Sequence, residues 1–435
     1  MVESLPAKEG FAQCTPGRVG QTSYIDLEVG GSKWRSPLIT ADIMADISCY
    51  HNETPRPRDI LLDYAILKTR EDFRLPTKVK MLHLNDVFSL DLDIWDKSPG
   101  LPWCKIGYKM KGDIRKDPDA VQGVRRFWHY VKGGNHIQLP DCMAFARSHM
   151  CQCGERKVRA IWGYPATLTF GEAVFAKPLI EEPIKIWLSM TAPLHMVLRS
   201  QLEACGNSFD KTVPAWMIDL AFDILLENID LVNYQDHGVA DGRRMLLMYY
   251  YLKQYFINTI IRTSTGSRFQ KFSGVASGSY FTQLVGSVCN GIIVNWLSLS
   301  FDGAFPLEKL YMGDDSLVAN HSLWSLDQCQ RLVRRLGMSI NMSKSQSQHD
   351  LHSIKFLGYT INHGISTKPF DDWMTALCFP EYPDRDFDVV QSRALGLCYA
   401  NMGIDEKFHA ITSAIVRFKP FTIAISKNLA RIDQK

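Results

Sequence analysis

The densest chemistry in this 435-residue sequence is Gly313-Asp314-Asp315, set between the apolar runs Leu310-Tyr311-Met312 and Ser316-Leu317-Val318. Apolar runs on either side of a Gly-Asp pair predict a tight β-hairpin, with Gly313 supplying a positive φ. On a straight strand neighbouring carboxylates face opposite ways, whereas at a bend both can reach one rim. Two carboxylates at one rim repel unless a cation lies between them, so Asp314 and Asp315 read as oxygen ligands for Mg²⁺ or Mn²⁺. The triplet alone also fits a solvated turn. Its neighbours decide.

Upstream, Ser98-Pro99-Gly100-Leu101-Pro102-Trp103 reads as a rigid turn, because two prolines fix φ and a glycine permits close backbone approach. Residues 105–132 interleave eight Lys or Arg with Tyr108, Phe127, Trp128 and Tyr130. That composition fits either a single-strand channel or a basic face over core aromatics. In 156–165, basic and apolar residues alternate, which predicts a strand with Lys157 and Arg159 on one face, able to clamp a triphosphate. Surface charge on an edge strand would produce the same pattern.

Ser208-Phe209-Asp210-Lys211-Thr212-Val213-Pro214 leads into helical spacing at Ile218, Ala221, Phe222, Leu225 and Ile229, with Thr212 as expected N-cap. Its Lys-Thr ending is not a phosphate loop, which needs glycines where Cys205 and Asp210 stand. Phe272 to Ser279 is a small-residue loop opening a helix. On that helix Thr282, Gly286, Cys289 and Asn290 form a small or polar stripe opposite Leu284, Val288 and Ile292. Such a stripe admits a neighbouring backbone or a substrate.

Composition is that of a globular chain, 46% hydrophobic and 22% charged, and a net charge of +3 leaves nucleic-acid contact to local basic stripes. Eleven scattered cysteines argue for a reducing compartment. His149, Cys151 and Cys153 match no usual zinc spacing and read as buried thiols beside a histidine. No apolar run reaches the ~18 residues of a spanning helix, and the first residues lack a signal-peptide pattern, so an intracellular protein with no membrane partner is expected.

Taken in order, these motifs resemble those of viral RNA-directed RNA polymerases, most closely the partitivirus type with double-stranded RNA genomes, over roughly residues 95–360. Ser98 to Trp103 looks like the motif at which template enters. Lys157-Val158-Arg159 with Trp162-Gly163-Tyr164-Pro165 looks like the nucleotide-channel motif. Phe209 to Pro214 resembles the first palm motif; Ser277, Gly278, Ser279, Thr282 and Asn290 the second; Gly313-Asp314-Asp315 the third. Lys344 falls in the fourth, and Phe356-Leu357-Gly358-Tyr359 looks like the fifth.

The resemblance implies an α+β right-hand polymerase whose antiparallel palm sheet packs on helices. Fingers and an N-terminal extension would fill residues 1–200, palm 201–365 with a fingers insertion near 230–272, and thumb 366–435. It implies attack of an RNA 3′-hydroxyl on the α-phosphate of an NTP with Mg²⁺ or Mn²⁺ as cofactor. Asp314 would be the principal metal ligand and Asp315 its support. Asp210 and Asn290 would bind the ribose 2′-hydroxyl, which separates ribo- from deoxyribonucleotides. Lys157 and Arg159 would hold the incoming NTP. Ser277, Gly278 and Thr282 would let nucleotide and template approach, with Ser98, Gly100 and Pro102 against the template. Lys344 would protonate the leaving pyrophosphate. RNA template and product, NTPs and a capsid protein are the implied partners, in the virion interior or host cytoplasm.

One position departs from the family pattern: the metal-binding Asp expected five residues before Asp210 is Cys205, a poor ligand for hard cations. Glu203 would share its face on a regular strand. Three readings stay open: an inactive relic or variant, a local sequence anomaly, or rewired metal binding. An alternative is therefore a catalytically impaired polymerase-fold protein that binds RNA. A reverse transcriptase fits less well, because Asp210 stands where those enzymes carry an aromatic gate.

Overall fold

A computed structural model gives the structure of the chain and describes residues 2–11, 21–25, 33–187, 197–201, 209–236, 238–342, 344–349, 353–362, 365–380 and 383–423. In chain order the elements begin β1 (Glu3–Leu5), β2 (Lys33–Arg35), α1 (Thr40–Ser48), α2 (Ile60–Asp72), β3 (Val79–Met81), α3 (Leu84–Val87), α4 (Lys111–Lys116), α5 (Pro118–Lys132), β4 (Cys142–Ser148), β5 (Met150–Gln152) and β6 (Val158–Gly163). They continue with α6 (Ala166–Trp187), β7 (Val197–Gln201), α7 (Phe209–Thr212), α8 (Ala215–Leu226), β8 (Ile229–Tyr234), α9 (Gly242–Ile257), β9 (Ile260–Arg262), β10 (Arg268–Gln270), α10 (Thr282–Asp302), β11 (Glu308–Met312) and β12 (Asp315–Ala319). The last are α11 (Leu326–Val333), β13 (Gln346–Gln348), β14 (Ile354–Phe356), β15 (Tyr359–Asn362), β16 (Ile365–Thr367), α12 (Phe370–Cys378), α13 (Phe387–Asn401) and α14 (Glu406–Arg417).

The chain divides into two compact units. The first comprises Met1–Gln13, Ala45–Phe145 and Ile161–Leu351; the second comprises Cys14–Met44, Ala146–Ala160 and His352–Lys435. Residues 14–44 and 146–160 thus cluster with the C-terminal residues.

The first unit is built on α10. Almost every residue from Val285 to Ser298 is buried, so the helix is covered all round rather than along a stripe. It is also long and apolar enough to cross a membrane, but 78% of its apolar window is buried within the protein, as in a core helix. Against it lies α2, capped by the Asp59 carboxylate, which accepts from the Leu61 and Leu62 amides. Leu62, Ala65, Ile66 and Thr69 are its buried residues, and full burial of Leu62 or Ile66 is worth about 1.5–3 kcal/mol. The two helices approach closely at Gly291, where a Cβ would sit 3.1 Å from the Phe73 ring and 3.3 Å from Thr69 Cγ2.

Beside α10 is a four-stranded antiparallel sheet in the order β11-β12-β7-β13. A second sheet runs β1-β10-β9-β4-β6, so the extreme N-terminal strand is part of it. In the second unit, β14, β15 and β16 form an antiparallel sheet. Its core gathers Ile25, Trp373, Leu377, Val390, Ala394 and Phe408. Phe356-Leu357-Gly358-Tyr359 is the two-residue turn between β14 and β15, with both central residues at positive φ.

The helix expected to run from Thr212 to Ile229 is divided. Phe209–Thr212 forms one turn of its own, Pro214 caps α8, and Ile229 opens β8. Pro214 excludes the helical region at Val213, which separates the two pieces.

Candidate active site

The hairpin forms as its sequence predicts. Met312 pairs with Asp315, leaving Gly313 and Asp314 as a two-residue turn with Gly313 at φ +63°. A positive φ at the first turn position is where glycine is at no disadvantage. Asp314 is half-buried at the tip, and Asp315 opens β12 at 7% exposure.

One helix grips this tip. Ser287 Oγ accepts the Gly313 N–H at 3.0 Å, and Asn290 Nδ2 donates to the Gly313 carbonyl at 3.0 Å. On the same face is Gly286, where a Cβ would come within 3.3 Å of Gly313 Cα. The stripe facing the hairpin is therefore Gln283, Gly286, Ser287 and Asn290. Cys289 turns the other way, its Sγ toward the Met217 carbonyl of α8 at 3.7 Å. The expected stripe shares Gly286 and Asn290 with this one and differs at its flank, where Gln283 and Ser287 take the places of Thr282 and Cys289. Asn290 is fully buried, and its Oδ1 has no hydrogen-bond partner among the described residues.

Asp210 is tied by backbone links to the loop that precedes α10. Its carbonyl accepts from Val275 N–H at 2.5 Å, while Gly274 N–H donates to the Val213 carbonyl at 2.9 Å. At Gly274, φ is +80° and a Cβ would lie 2.8 Å from the Asp210 carbonyl, so only glycine permits this approach. The loop carrying Ser277 and Gly278 is thus joined to the segment carrying Asp210. Gly278, at φ +95°, abuts the Trp162 carbonyl, 2.3 Å from where its Cβ would be. Thr282 Oγ1 donates back to the Ser279 carbonyl at 2.9 Å, closing the loop onto the start of α10.

The 98–102 turn joins the same assembly from the other side of β6. Gly100 is at φ +67°, with the Gly163 and Tyr164 carbonyls 2.9 and 2.8 Å from a built Cβ, and the bond between Leu101 and Pro102 is cis. Pro99 O accepts from Ala166 N–H at 2.8 Å, and Ser98 O from Lys111 Nζ at 2.6 Å. In the basic stretch that follows, Trp128 is wholly buried and Tyr108 donates to Asp117, which leaves Tyr130 as the exposed ring.

Lys344 stands two residues before β13. It lies in a turn, its N–H and that of Ser345 donating to the Asn341 carbonyl, and β13 then pairs with β7 from Gln346 opposite Arg199. Cys205 and Glu203 lie outside the described residues.

Lys157 and Arg159 belong to the second unit. Arg159 is on β6 and half-buried; Lys157 immediately precedes the strand, its N–H bonded to Ser36 Oγ at 2.9 Å. Around His149 stand Arg159, Arg147, Lys157 and Arg35. Burial first, then these four cations, depress the imidazole to about 3, so it is neutral. The sequence reading had only two of these cations; Arg35 and Arg147 are distant from them in sequence. Cys151 is buried and bonded to the Glu155 carbonyl, whereas Cys153 is exposed rather than buried.

Two positioning residues carried no sequence signal. Asn52 Nδ2 donates to the Leu336 carbonyl at 2.8 Å and to the Thr212 carbonyl, while Asn52 N–H donates to Ser273 Oγ. Asp46 forms a buried ion pair with Lys211, beside Asp210.

Among the described residues no group of three or more His, Cys, Asp or Glu side chains gathers to hold a metal. The donors at the hairpin are the two Asp carboxylates, an all-oxygen pair that suits Mg²⁺ or Mn²⁺.

Residues 202–416 match the family model of viral RNA-dependent RNA polymerases. The resemblance read from the motifs is thus matched by the family model over that segment. It is similar to the RNA-directed RNA polymerase of Atkinsonella hypoxylon virus (isolate 2H), at 27% identity over 65% of this chain and 51% of that one. It is also similar to the RNA-directed RNA polymerase of Cryptosporidium parvum virus 1 (strain KSU-1), at 27% identity over 51% of this chain and 44% of the other. The chain spans about half the length of the curated relatives it matches.

Proposed function

We propose that the chain catalyses template-directed RNA synthesis. The observation that carries this reading is the Gly313 turn, clamped at both backbone polar groups by α10 so that Asp314 stands at a fixed tip beside Asp315. In the reaction a bond forms between the 3′-oxygen of the growing RNA and the α-phosphorus of an NTP. The bond to the bridging oxygen breaks, and pyrophosphate leaves.

Asp314 and Asp315 would hold Mg²⁺ or Mn²⁺, which when bound supplies charge neutralisation at the reacting phosphate. Asp210 and Asn290 would hydrogen-bond the ribose 2′-hydroxyl, the unpartnered Oδ1 of Asn290 being an available acceptor. Lys157 and Arg159 would hold the triphosphate, a task in which Arg147 is a candidate to share. Ser277, Gly278 and Thr282 would shape the nucleotide side of the cleft, and Ser98, Gly100 and Pro102 the template side. Lys344 would deliver a proton to the leaving pyrophosphate. We assign palm to the sheet and helices within 201–365, fingers to residues before it and to about 230–272, and thumb to 366–435. RNA and NTPs are the partners under this reading, with a capsid protein as a further one and the virion interior or host cytoplasm as the place of action.

The second reading, an RNA-binding protein with impaired catalysis, is favoured by Cys205 alone. Synthesis from a single-stranded RNA template, with rNTPs against dNTPs, separates the two. Incorporation of rNTPs that Asp314→Ala abolishes supports the enzyme. RNA binding without synthesis in either Mg²⁺ or Mn²⁺, by a chain that gains synthesis on Cys205→Asp, supports the impaired form.

A further inference from the structure

Behind the loop that carries Ser277 and Gly278 lies a carboxylate with no part in the chemistry above. Glu172, on α6, is 1% exposed. It accepts from Ser279 Oγ at 2.6 Å and from the Tyr280 N–H at 3.0 Å. Ser279 Oγ in turn accepts from the Phe281 N–H at 3.0 Å. A side chain from a separate helix thus holds the apex of the 276–282 turn, whose far end Thr282 closes.

Isolated carboxylates are not kept in a protein interior at no cost. Burial pushes the Glu172 carboxyl up to about 7, against the pull of Ser279, Tyr280 and the Lys111 ammonium. Lys111 is the group that donates to the Ser98 carbonyl. On the opposite side, the exit of β6 is packed between Gly278 and Gly100. The 276–282 loop and the 98–102 turn therefore both rest on the backbone of Trp162 to Tyr164.

We propose that Glu172 is a positioning residue for the 276–282 loop, fixing it from behind. What the loop selects rests on the polymerase reading; the tether does not. Alanine at 172 leaves the Ser279 hydroxyl and the Tyr280 N–H without their acceptor. Glutamine retains a carbonyl oxygen for the Tyr280 N–H.

The test combines hydrogen–deuterium exchange on the full chain with nucleotide-incorporation kinetics, for the unmodified protein, Glu172→Ala and Glu172→Gln. In Glu172→Ala, exchange across 276–282 is expected to rise on the order of tenfold while 308–319 stays unchanged, with glutamine restoring most of the protection. In synthesis, Glu172→Ala is expected to raise the KM for rNTPs about tenfold and to lower the preference over dNTPs, with a smaller change in kcat. Loop exchange unchanged in a folded Glu172→Ala overturns the proposal. Should alanine at 172 prevent folding, Ser279→Ala removes one of the two bonds to Glu172 together with the acceptor of the Phe281 N–H. It must loosen the same amides more mildly, and unaltered exchange there overturns the proposal equally. A loosened loop in a chain that never synthesises RNA removes the polymerase reading and leaves the tether standing.

Discussion

Gly313 depends on two side chains of α10, and each can be removed without touching an acidic residue. Ser287→Ala leaves the Gly313 N–H without its acceptor, and Asn290→Ala leaves the Gly313 carbonyl without its donor. Each change is expected to lower stability by about 1–3 kcal/mol, read as a lower urea midpoint at constant slope. Synthesis should fall further than stability, because the tip carrying Asp314 loosens first. At His149 the prediction concerns pH. The folded value, about 3, lies below the ordinary 6.5, so the unfolded chain binds the extra proton in between. This share of stability is present above pH 6.5 and is lost as pH falls toward 3. His149→Gln should flatten the dependence of full-chain stability on pH in that window. An unchanged slope would mean that the imidazole is not held neutral.

At the level of elements, glycines of similar φ separate backbone strain from contact. Gly278→Ala meets the Trp162 carbonyl at 2.3 Å, whereas Gly303, at φ +65°, has nothing within 4 Å of a built Cβ. Gly303→Ala should cost only the roughly 1–2 kcal/mol of a left-handed alanine. Gly278→Ala must also displace its loop from β6, so synthesis should drop at least tenfold more than in Gly303→Ala. The buried pair of Lys211 and Asp46 gives another element-scale test. Asp46→Ala strands the lysine charge and is expected to cost about 3–5 kcal/mol in denaturant unfolding, while Asp46→Leu with Lys211→Met recovers much of that.

These contacts also mark how far sequence reading reached. The hairpin was legible because a glycine between apolar runs is a local signal, and the 98–102 turn because prolines constrain their own backbone. The face of α10 was not, since a helix buried all round has no polar side to set its phase, and Cys289 fell on the wrong side of it. Asp46 and Asn52 gave no signal either. Each acts on a segment more than 150 residues away, and no local pattern encodes that partnership.

On the scale of the whole molecule, an antiparallel sheet beside a core helix brings segments around 201, 315 and 346 to one end, with the loops of 210 and 277 joined through their backbones. That arrangement, with the family match over 202–416, makes RNA synthesis the central claim. By the motif resemblance Cys205 would stand where an acidic ligand is expected, leaving Asp314 and Asp315 as the proposed ligands. The most direct measurement is rNTP incorporation on a single-stranded RNA template, in Mg²⁺ and in Mn²⁺, by the unmodified chain, Cys205→Asp and Asp314→Ala. The account predicts template-dependent incorporation by the unmodified chain, raised by Cys205→Asp and reduced at least a hundredfold by Asp314→Ala, as losses of key electrostatic groups do. Incorporation that persists undiminished in Asp314→Ala, or none in any variant while all remain folded and bind RNA, would contradict it.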